Sequence, residues 1–174
     1  MTQTTEAPAA PEEMMPKVEP QREHEWLQQL VGEWVSEMAA NDQGKEFVMT
    51  GTQTVRAVGD IWIVGEGRDT SGGADCGTSI ISLGYDPQKQ RFVGTWFGTM
   101  MTNLWVYEGT LDADERVLTL ACEGPRFTDP AVLAPYTDVI EIKDKDTWTL
   151  SGRTKGDDGQ WVTFCTTTHR RKAS

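Results

Sequence analysis

Seven residues between positions 96 and 107 have side chains of the kinds that line small-molecule sites. They are Trp96, Phe97, Met100, Met101, Asn103, Trp105 and Tyr107. A binding cavity needs apolar walls with a few fixed polar groups, and Trp, Tyr and Met suit such walls. The same residues could instead simply fill the core of a small barrel. Met100 and Met101 fall at a predicted turn, which favours a cavity mouth or a partner surface.

A second group of polar residues brackets the segment from 124 to 135. Its members are Glu123, Arg126, Asp129 and Tyr136. A carboxylate, a guanidinium and a phenol near a cavity mouth could orient an anionic head group or serve acid–base chemistry. The other charged strand residues, including Glu108 and Asp138, are expected to be solvated for the most part. Glu108 should face water if Trp105 and Tyr107 line the interior, because side chains alternate along a strand.

The histidines and cysteines give weaker signals. His169 precedes a basic terminus and is expected to be exposed, on one strand face with Trp161, Thr163, Cys165 and Thr167. His24 is expected on the polar side of a helix. Cys76, Cys122 and Cys165 form no Cys-x-x-Cys motif, so buried or inert thiols are expected.

The elements that must position these residues are mainly strands. One amphipathic helix follows Pro20, and Trp26, Leu27, Leu30 and Val31 share its apolar face. Alternating patterns and turn residues then predict ten strands. The predicted strands are Trp34–Met38, Glu46–Val58, Ile61–Arg68, Gly77–Tyr85, Arg91–Thr99, Asn103–Leu111, Val117–Glu123, Tyr136–Lys143, Thr147–Arg153 and Trp161–Arg170.

The spacing of the strands predicts an all-β fold. Short connections make consecutive strands antiparallel neighbours, and a sheet of about ten strands tends to close on itself. We therefore expect an up-and-down antiparallel β-barrel with one short N-terminal helix, and a two-sheet sandwich is the alternative. The segment from Gly124 to Pro135 is expected to form a loop over one barrel end.

Two resemblances add to this interpretation. The helix followed by Gly32-Glu33-Trp34 resembles the start of calycin barrels such as lipocalins, which implies that Trp34 plugs the closed end and that Arg170 or Arg171 packs over it. The stretches EHEWLQQLVGEW, LGYDPQKQRFVGTWFGTMMTNLWVYEGTLD, LTLACEGP and YTDVIEI resemble the bacterial family catalogued as domain of unknown function 1579 (DUF1579). That resemblance implies a calycin-like barrel and no established activity.

The end of the chain departs from the family pattern. Thr168-His169-Arg170 stands where an aromatic residue before the basic residues is commoner. Calycin-like nitrobindins hold haem through a histidine near the chain end, so the resemblance also implies an axial ligand as the alternative role of His169. We expect His169 to be an exposed histidine beside the basic terminus.

Composition excludes several classes of function. The 174 residues carry a net charge of −11, which argues against nucleic acid and membrane surfaces as partners. No catalytic, cofactor or metal motif is present, so no catalytic residue, cofactor or metal is predicted. Residues 1–19 are expected to be a disordered tail before one barrel domain at 20–174. The absence of a signal peptide predicts a cytoplasmic protein.

Three function classes remain. The leading hypothesis is a barrel that binds a small apolar or amphipathic molecule through Trp96, Met101, Asn103, Trp105, Tyr107, Glu123, Arg126 and Tyr136. The second is an enzyme that uses pocket carboxylates and Tyr136. The third is a filled barrel whose methionine rim meets a protein partner. A homodimer is compatible with all three classes.

Overall fold

The computed structural model describes residues 18–42, 45–72, 77–156 and 158–173. Each strand pairs antiparallel with its sequence neighbours, and the first strand also pairs with the last. The predicted closed up-and-down barrel is therefore confirmed, and the sandwich is excluded. The elements are α1 (Arg22–Gln28), β1 (Gly32–Asp42), β2 (Lys45–Val58), β3 (Trp62–Asp69), β4 (Thr78–Asp86), β5 (Arg91–Gly98), β6 (Trp105–Leu111), β7 (Val117–Pro125), β8 (Leu133–Asp144), β9 (Thr147–Lys155) and β10 (Trp161–Arg171).

The predicted loop from 124 to 135 is shorter than expected. Strands β7 and β8 extend into it and pair Gly124 with Ala134 and Pro125 with Leu133, which leaves 126–132 as the connection. Proline has no N–H group to donate to a ladder, but Pro125 lies at the end of β7 and Pro135 near the start of β8, where the pairing can continue around them.

Helix α1 covers one end of the barrel, which we call the closed end. The helix has only seven residues, too few to be stable alone, so its packing must hold it. Trp26 and Leu27 are buried against the barrel, and the indole N–H of Trp26 donates to the backbone oxygen of Glu115 at 2.7 Å. The apolar face predicted for this helix therefore covers the barrel end.

The prediction that His24 lies on the polar side of the helix is wrong. Its side chain is only 2% exposed. Its Nδ1 accepts the backbone N–H of Gln21, which leaves Nε2 to donate to the backbone oxygen of Tyr85 at 3.1 Å. The physical reason is that the helix lies flat across the strand ends, where the imidazole ties it to β4.

The floor of the closed end is a stack of rings. Trp34 is 1% exposed and makes an edge contact with Trp148, whose ring lies parallel to that of His169 with centroids 3.6 Å apart. The guanidinium of Arg171 lies 4.1 Å from the Trp34 ring centroid. The plug by Trp34 and the covering arginine implied by the calycin resemblance are both present.

The outer surface follows the strand alternation. Glu108 faces outward as expected and forms an ion pair with Lys89 at 3.2 Å. No helix within the described part of the chain has the length and hydropathy that a bilayer crossing requires. The predicted tail at 1–19 lies outside the described residues except for its last two positions.

Candidate functional site

A cavity of about 390 Å³ occupies the part of the barrel interior away from helix α1. The barrel end opposite helix α1 is called the rim. There the cavity is lined by Met100, Met101 and Phe127, which lie in connections between strands. All three side chains are exposed, so solvent reaches the cavity from the rim. The prediction of a mouth near the paired methionines agrees with this placement.

Aromatic rings form the wall beneath the rim. Trp105 meets Tyr136 edge to face at 4.9 Å, and Phe127 contacts both Tyr136 at 5.5 Å and Phe164 at 5.1 Å between ring centroids. Edge contacts of this kind add to the stability that burial provides. The four rings form a connected cluster, the aromatic wall, which is Trp105, Phe127, Tyr136 and Phe164.

Two glycines make room for this wall. A Cβ atom at Gly124 would come within 2.2 Å of the Trp105 ring, and one at Gly152 within 2.5 Å of the Phe164 ring. Any larger residue at either position would displace an aromatic side chain. The indole N–H of Trp105 also donates to the sulfur of Met101 at 3.1 Å, which links the wall to the rim.

The polar centre of the cavity is a carboxylate–phenol pair. Asp138 accepts a hydrogen bond from the hydroxyl of Tyr107, and both residues line the cavity. Burial raises the pKa of Asp138 to about 6, even though the Tyr107 hydrogen bond opposes this change. Burial and the neighbouring carboxylate raise the pKa of Tyr107 well above its usual value. At neutral pH the pair therefore consists of a carboxylate and a neutral phenol.

Two thiols lie near this pair. Burial raises the pKa of Cys122 to about 12 and that of Cys165 to about 11, and the Asp138 carboxylate contributes to both changes. Both cysteines are therefore protonated at neutral pH. They are unreactive in this form, because the thiolate is the nucleophile. Cys76 falls outside the described residues.

The expectation that His169 is exposed is wrong. Its side chain is 3% exposed, stacks on Trp148 and lines the bottom of the cavity. Burial lowers the pKa of His169 to about 3, so the ring is neutral, and its Nδ1 makes no hydrogen bond with the residues that the structure describes. The physical reason is that β10 turns this residue inward at the floor, ahead of the basic terminus.

Five of the eight predicted site residues line the cavity. These are Trp96, Met101, Trp105, Tyr107 and Tyr136. Glu123 and Arg126 are exposed on the outside of the rim, and Asn103 is half-buried without lining the cavity. A role of these last three residues in binding stays a prediction.

Sequence reasoning missed three residues of the site. Asp138 lies two positions after Tyr136 on the same strand, so alternation alone places both on one face. Phe164 is turned inward by a β-bulge between Thr163 and Cys165. Phe127 lies in the connection between β7 and β8, where no periodicity applies.

The same bulge corrects the predicted face of β10. Cys165, Thr167 and His169 line the cavity, but Trp161 and Thr163 lie beyond the bulge and are exposed. Among the described residues, no group of three histidine, cysteine or acidic side chains is arranged to hold a metal ion.

Solved structures with the same fold come from distant sequences. An S-type phycobiliprotein lyase, CPES, from Guillardia theta is 17% identical and matches with a TM-score of 0.58, covering 89% of this chain and 99% of that chain. The Rv2717c protein from M. tuberculosis is 12% identical, with a TM-score of 0.59 and coverage of 89% and 100%. At these identities the likeness shows a common barrel fold.

The family follows from the sequence itself. Residues 19–171 match the family described as "Protein of unknown function (DUF1579)". No curated protein matches the sequence. The family match spans nearly all of the described residues, so the chain belongs to the DUF1579 family, as the sequence resemblance implied.

Proposed function

We propose that this member of the DUF1579 family binds a small, largely apolar molecule in the barrel cavity. The observation that carries the proposal is a cavity of about 390 Å³ with aromatic and methionine walls and one carboxylate–phenol pair. Cavities of that size and composition are typical of small-molecule sites. The binding residues are Trp96, Met101, Trp105, Tyr107, Phe127, Tyr136, Asp138 and Phe164.

The cavity also weighs against the third function class. A barrel that acts only through its outer surface has no need of an unfilled interior, because voids reduce stability. In this barrel two glycines keep the wall rings in place beside the cavity.

A first experiment tests whether the cavity holds a molecule. Native and denaturing mass spectra of freshly purified protein are compared, and the dye dansylamide is titrated with direct excitation of the dansyl group. We expect an extra mass that is lost on denaturation, or an increase of dansyl emission on binding. Protein that carries no extra mass and leaves dansyl emission unchanged would contradict the proposal.

A matched pair of variants locates the binding. Leu150 lines the cavity, so Leu150→Trp fills part of it and should weaken dansylamide binding by about tenfold or more, which corresponds to about 1.4 kcal/mol. Val106 lies on the outer face of β6, so Val106→Trp adds the same ring outside and should leave binding unchanged. Equal affinity of the two variants would place the dye outside the cavity.

A second candidate function is acid–base catalysis in the same cavity. The specific observation is Asp138, whose pKa is raised to about 6, within hydrogen-bonding contact of Tyr107. A carboxyl group with a pKa near neutrality can both accept and donate a proton. Recovery of a bound molecule in chemically altered form, compared with the form supplied, would favour the enzyme over the binding protein.

A further inference from the structure

We propose that the molecule bound in the cavity carries a protonated amine, which the Asp138 carboxylate and the surrounding aromatic rings recognise. This inference rests on the proposed function, because it assigns a ligand class to that same cavity.

Asp138 is an acidic group held inside the barrel. It lies on β8 between Leu120 of β7 and Gly152 of β9, and its Oδ2 atom accepts the Tyr107 hydroxyl. On the β9 side the space over Gly152 is taken by the Phe164 ring and the Cys165 sulfur, and Asp138 lines the cavity beside them. Among the described residues Tyr107 donates to the carboxylate and fixes its position, and the adjoining cavity can admit a further donor.

No cation within the described residues balances this charge. The groups that face Asp138 are the phenol of Tyr107 and the thiols of Cys122 and Cys165, and all three are neutral. His169 at the floor is neutral as well. Among the cavity residues only Arg68 is a full cation; its side chain is mostly exposed and forms an ion pair with Glu66 at 2.6 Å.

An unbalanced carboxylate selects the charge of its ligand. Removing a carboxylate from water costs free energy. In this barrel folding has already removed Asp138 from water before any ligand binds. A ligand ammonium then gains the full attraction of the pair, whereas a ligand carboxylate meets repulsion in a medium of low dielectric constant. The net charge of −11 adds a weaker attraction of the whole protein for cations.

The aromatic wall favours the same class of ligand. Trp105, Tyr136 and Phe164 stand next to one another above the carboxylate, on β6, β8 and β10. A cation near the face of such rings is attracted to their π-electrons, and tryptophan is the strongest partner. Rings and a carboxylate together bind the apolar body and the charged nitrogen of an amine.

The predicted anion site lies elsewhere. Arg126, the guanidinium expected to orient an anionic head group, is exposed and does not line the cavity. Its backbone N–H is occupied by Val132 in the connection between β7 and β8. The interior thus offers a negative charge to a ligand, where the sequence suggested a positive one.

The experiment compares three dansyl probes that share one fluorophore and differ in charge. They are N-(2-aminoethyl)dansylamide as the ammonium, dansylamide as the neutral probe, and dansylglycine as the carboxylate. We expect the ammonium probe to bind at least about tenfold more tightly than the carboxylate probe, as measured couplings of close charge pairs indicate. Binding of the neutral probe measures the affinity of the cavity for the dansyl group without a contribution from charge.

Variants assign the preference to one carboxylate. Asp138→Asn removes the charge with little change of shape and should reduce the preference for the ammonium probe to about threefold or less. Glu141→Gln is the matched control, because Glu141 lies on the same strand, half-exposed, and pairs with Lys143 at 2.6 Å. The control should keep the full preference.

A pH titration of the unmodified protein provides a second measurement that does not depend on how the variant folds. Between about pH 7.5 and about pH 5 Asp138 becomes protonated, since its pKa is about 6, while the aliphatic amine of the probe stays charged. Affinity for the ammonium probe should fall over this range, and affinity for dansylamide should not.

The outcomes separate the two proposals. Tight binding of dansylamide without any preference for the ammonium, or a preference that survives Asp138→Asn, overturns the amine inference and leaves the cavity proposal in place. Failure of all three probes to bind to protein that also carries no extra mass overturns the cavity proposal and the inference with it.

Discussion

The closed end and the rim end of the barrel use the same strands in different ways. At the closed end Trp34, Trp148 and His169 are almost fully buried beneath helix α1, with His169 stacked on Trp148 and Trp34 against the edge of the same ring system. Toward the rim the same barrel encloses a cavity, and its wall rings border open space. Strand β10 contributes to both ends, with His169 at the floor and Cys165 in the cavity.

The difference shows what fills a barrel. The number of strands sets the width of the interior, so both ends offer similar space. The closed end is filled because a segment from outside the sheet, helix α1, adds Trp26 and Leu27 to the strand side chains. Within the described residues the rim end has no corresponding helix, and it keeps an open interior.

The largest expected effect tests the packing at the closed end. Trp148→Ala removes the central ring of the floor and should lower the free energy of unfolding by about 3–5 kcal/mol. Trp105→Ala only enlarges a cavity that already exists, so its cost should be roughly half of that or less. Urea denaturation of both variants gives the comparison. Equal losses would mean that the two ends are packed alike.

A pH titration of stability gives the next largest effect. In the unfolded chain His169 binds a proton below its ordinary pKa of about 6.5, but in the native state burial keeps it neutral down to about pH 3. The free energy of unfolding therefore falls as the pH falls from about 6.5 toward about 3. Asp138 acts oppositely, because the native state keeps its proton up to about pH 6 and the unfolded state only to about 3.8. Stability from Asp138 is therefore lost as pH rises through that range.

The variant Asp138→Asn separates these opposed contributions. Without Asp138, the acid-sensitive contribution of His169 is no longer opposed, so stability should fall more steeply than in the wild type between about pH 6 and about pH 4. The difference in slope is at most about 1.4 kcal/mol per pH unit. Parallel urea midpoints for the two proteins over this range would show that Asp138 titrates at an ordinary pKa.

The smallest effect is expected at an outward-facing residue next to a cavity residue. Glu108 follows Tyr107 on β6 but faces water, where its ion pair with Lys89 is well exposed. Glu108→Gln should change the free energy of unfolding by less than about 1 kcal/mol, since exposed ion pairs contribute little. Thermal unfolding at low and high salt measures it. A larger loss of stability would indicate that the Glu108 charge stabilises the cavity wall from its outer side.

Strand periodicity predicted most of the fold. Ten alternating segments with short turns gave the barrel, its order and the outward direction of Glu108. Alternation is a local property, so it can be read without knowing what a strand packs against. The positions of Trp96, Trp105, Tyr107 and Tyr136 on the inner face follow from the same rule.

The remaining errors have non-local causes. His24 and His169 are buried because of what lies across from them, namely the end of β4 and the ring of Trp148. Phe164 faces inward because of a bulge, which adds one residue and leaves no mark in the hydrophobic pattern. Asp138 was expected to be solvated, because charged residues are seldom buried. Its burial is the exception, and it gives the cavity its negative charge.

The pairing of the first strand with the last also determines when the cavity can form. Trp34 pairs with Arg171 across almost the whole described chain, and β10 supplies Phe164, Cys165 and His169 to the interior. Contacts between residues so distant in sequence form slowly, because a long loop must close first. During synthesis the cavity is therefore completed last, after β10 has left the ribosome and sealed the barrel.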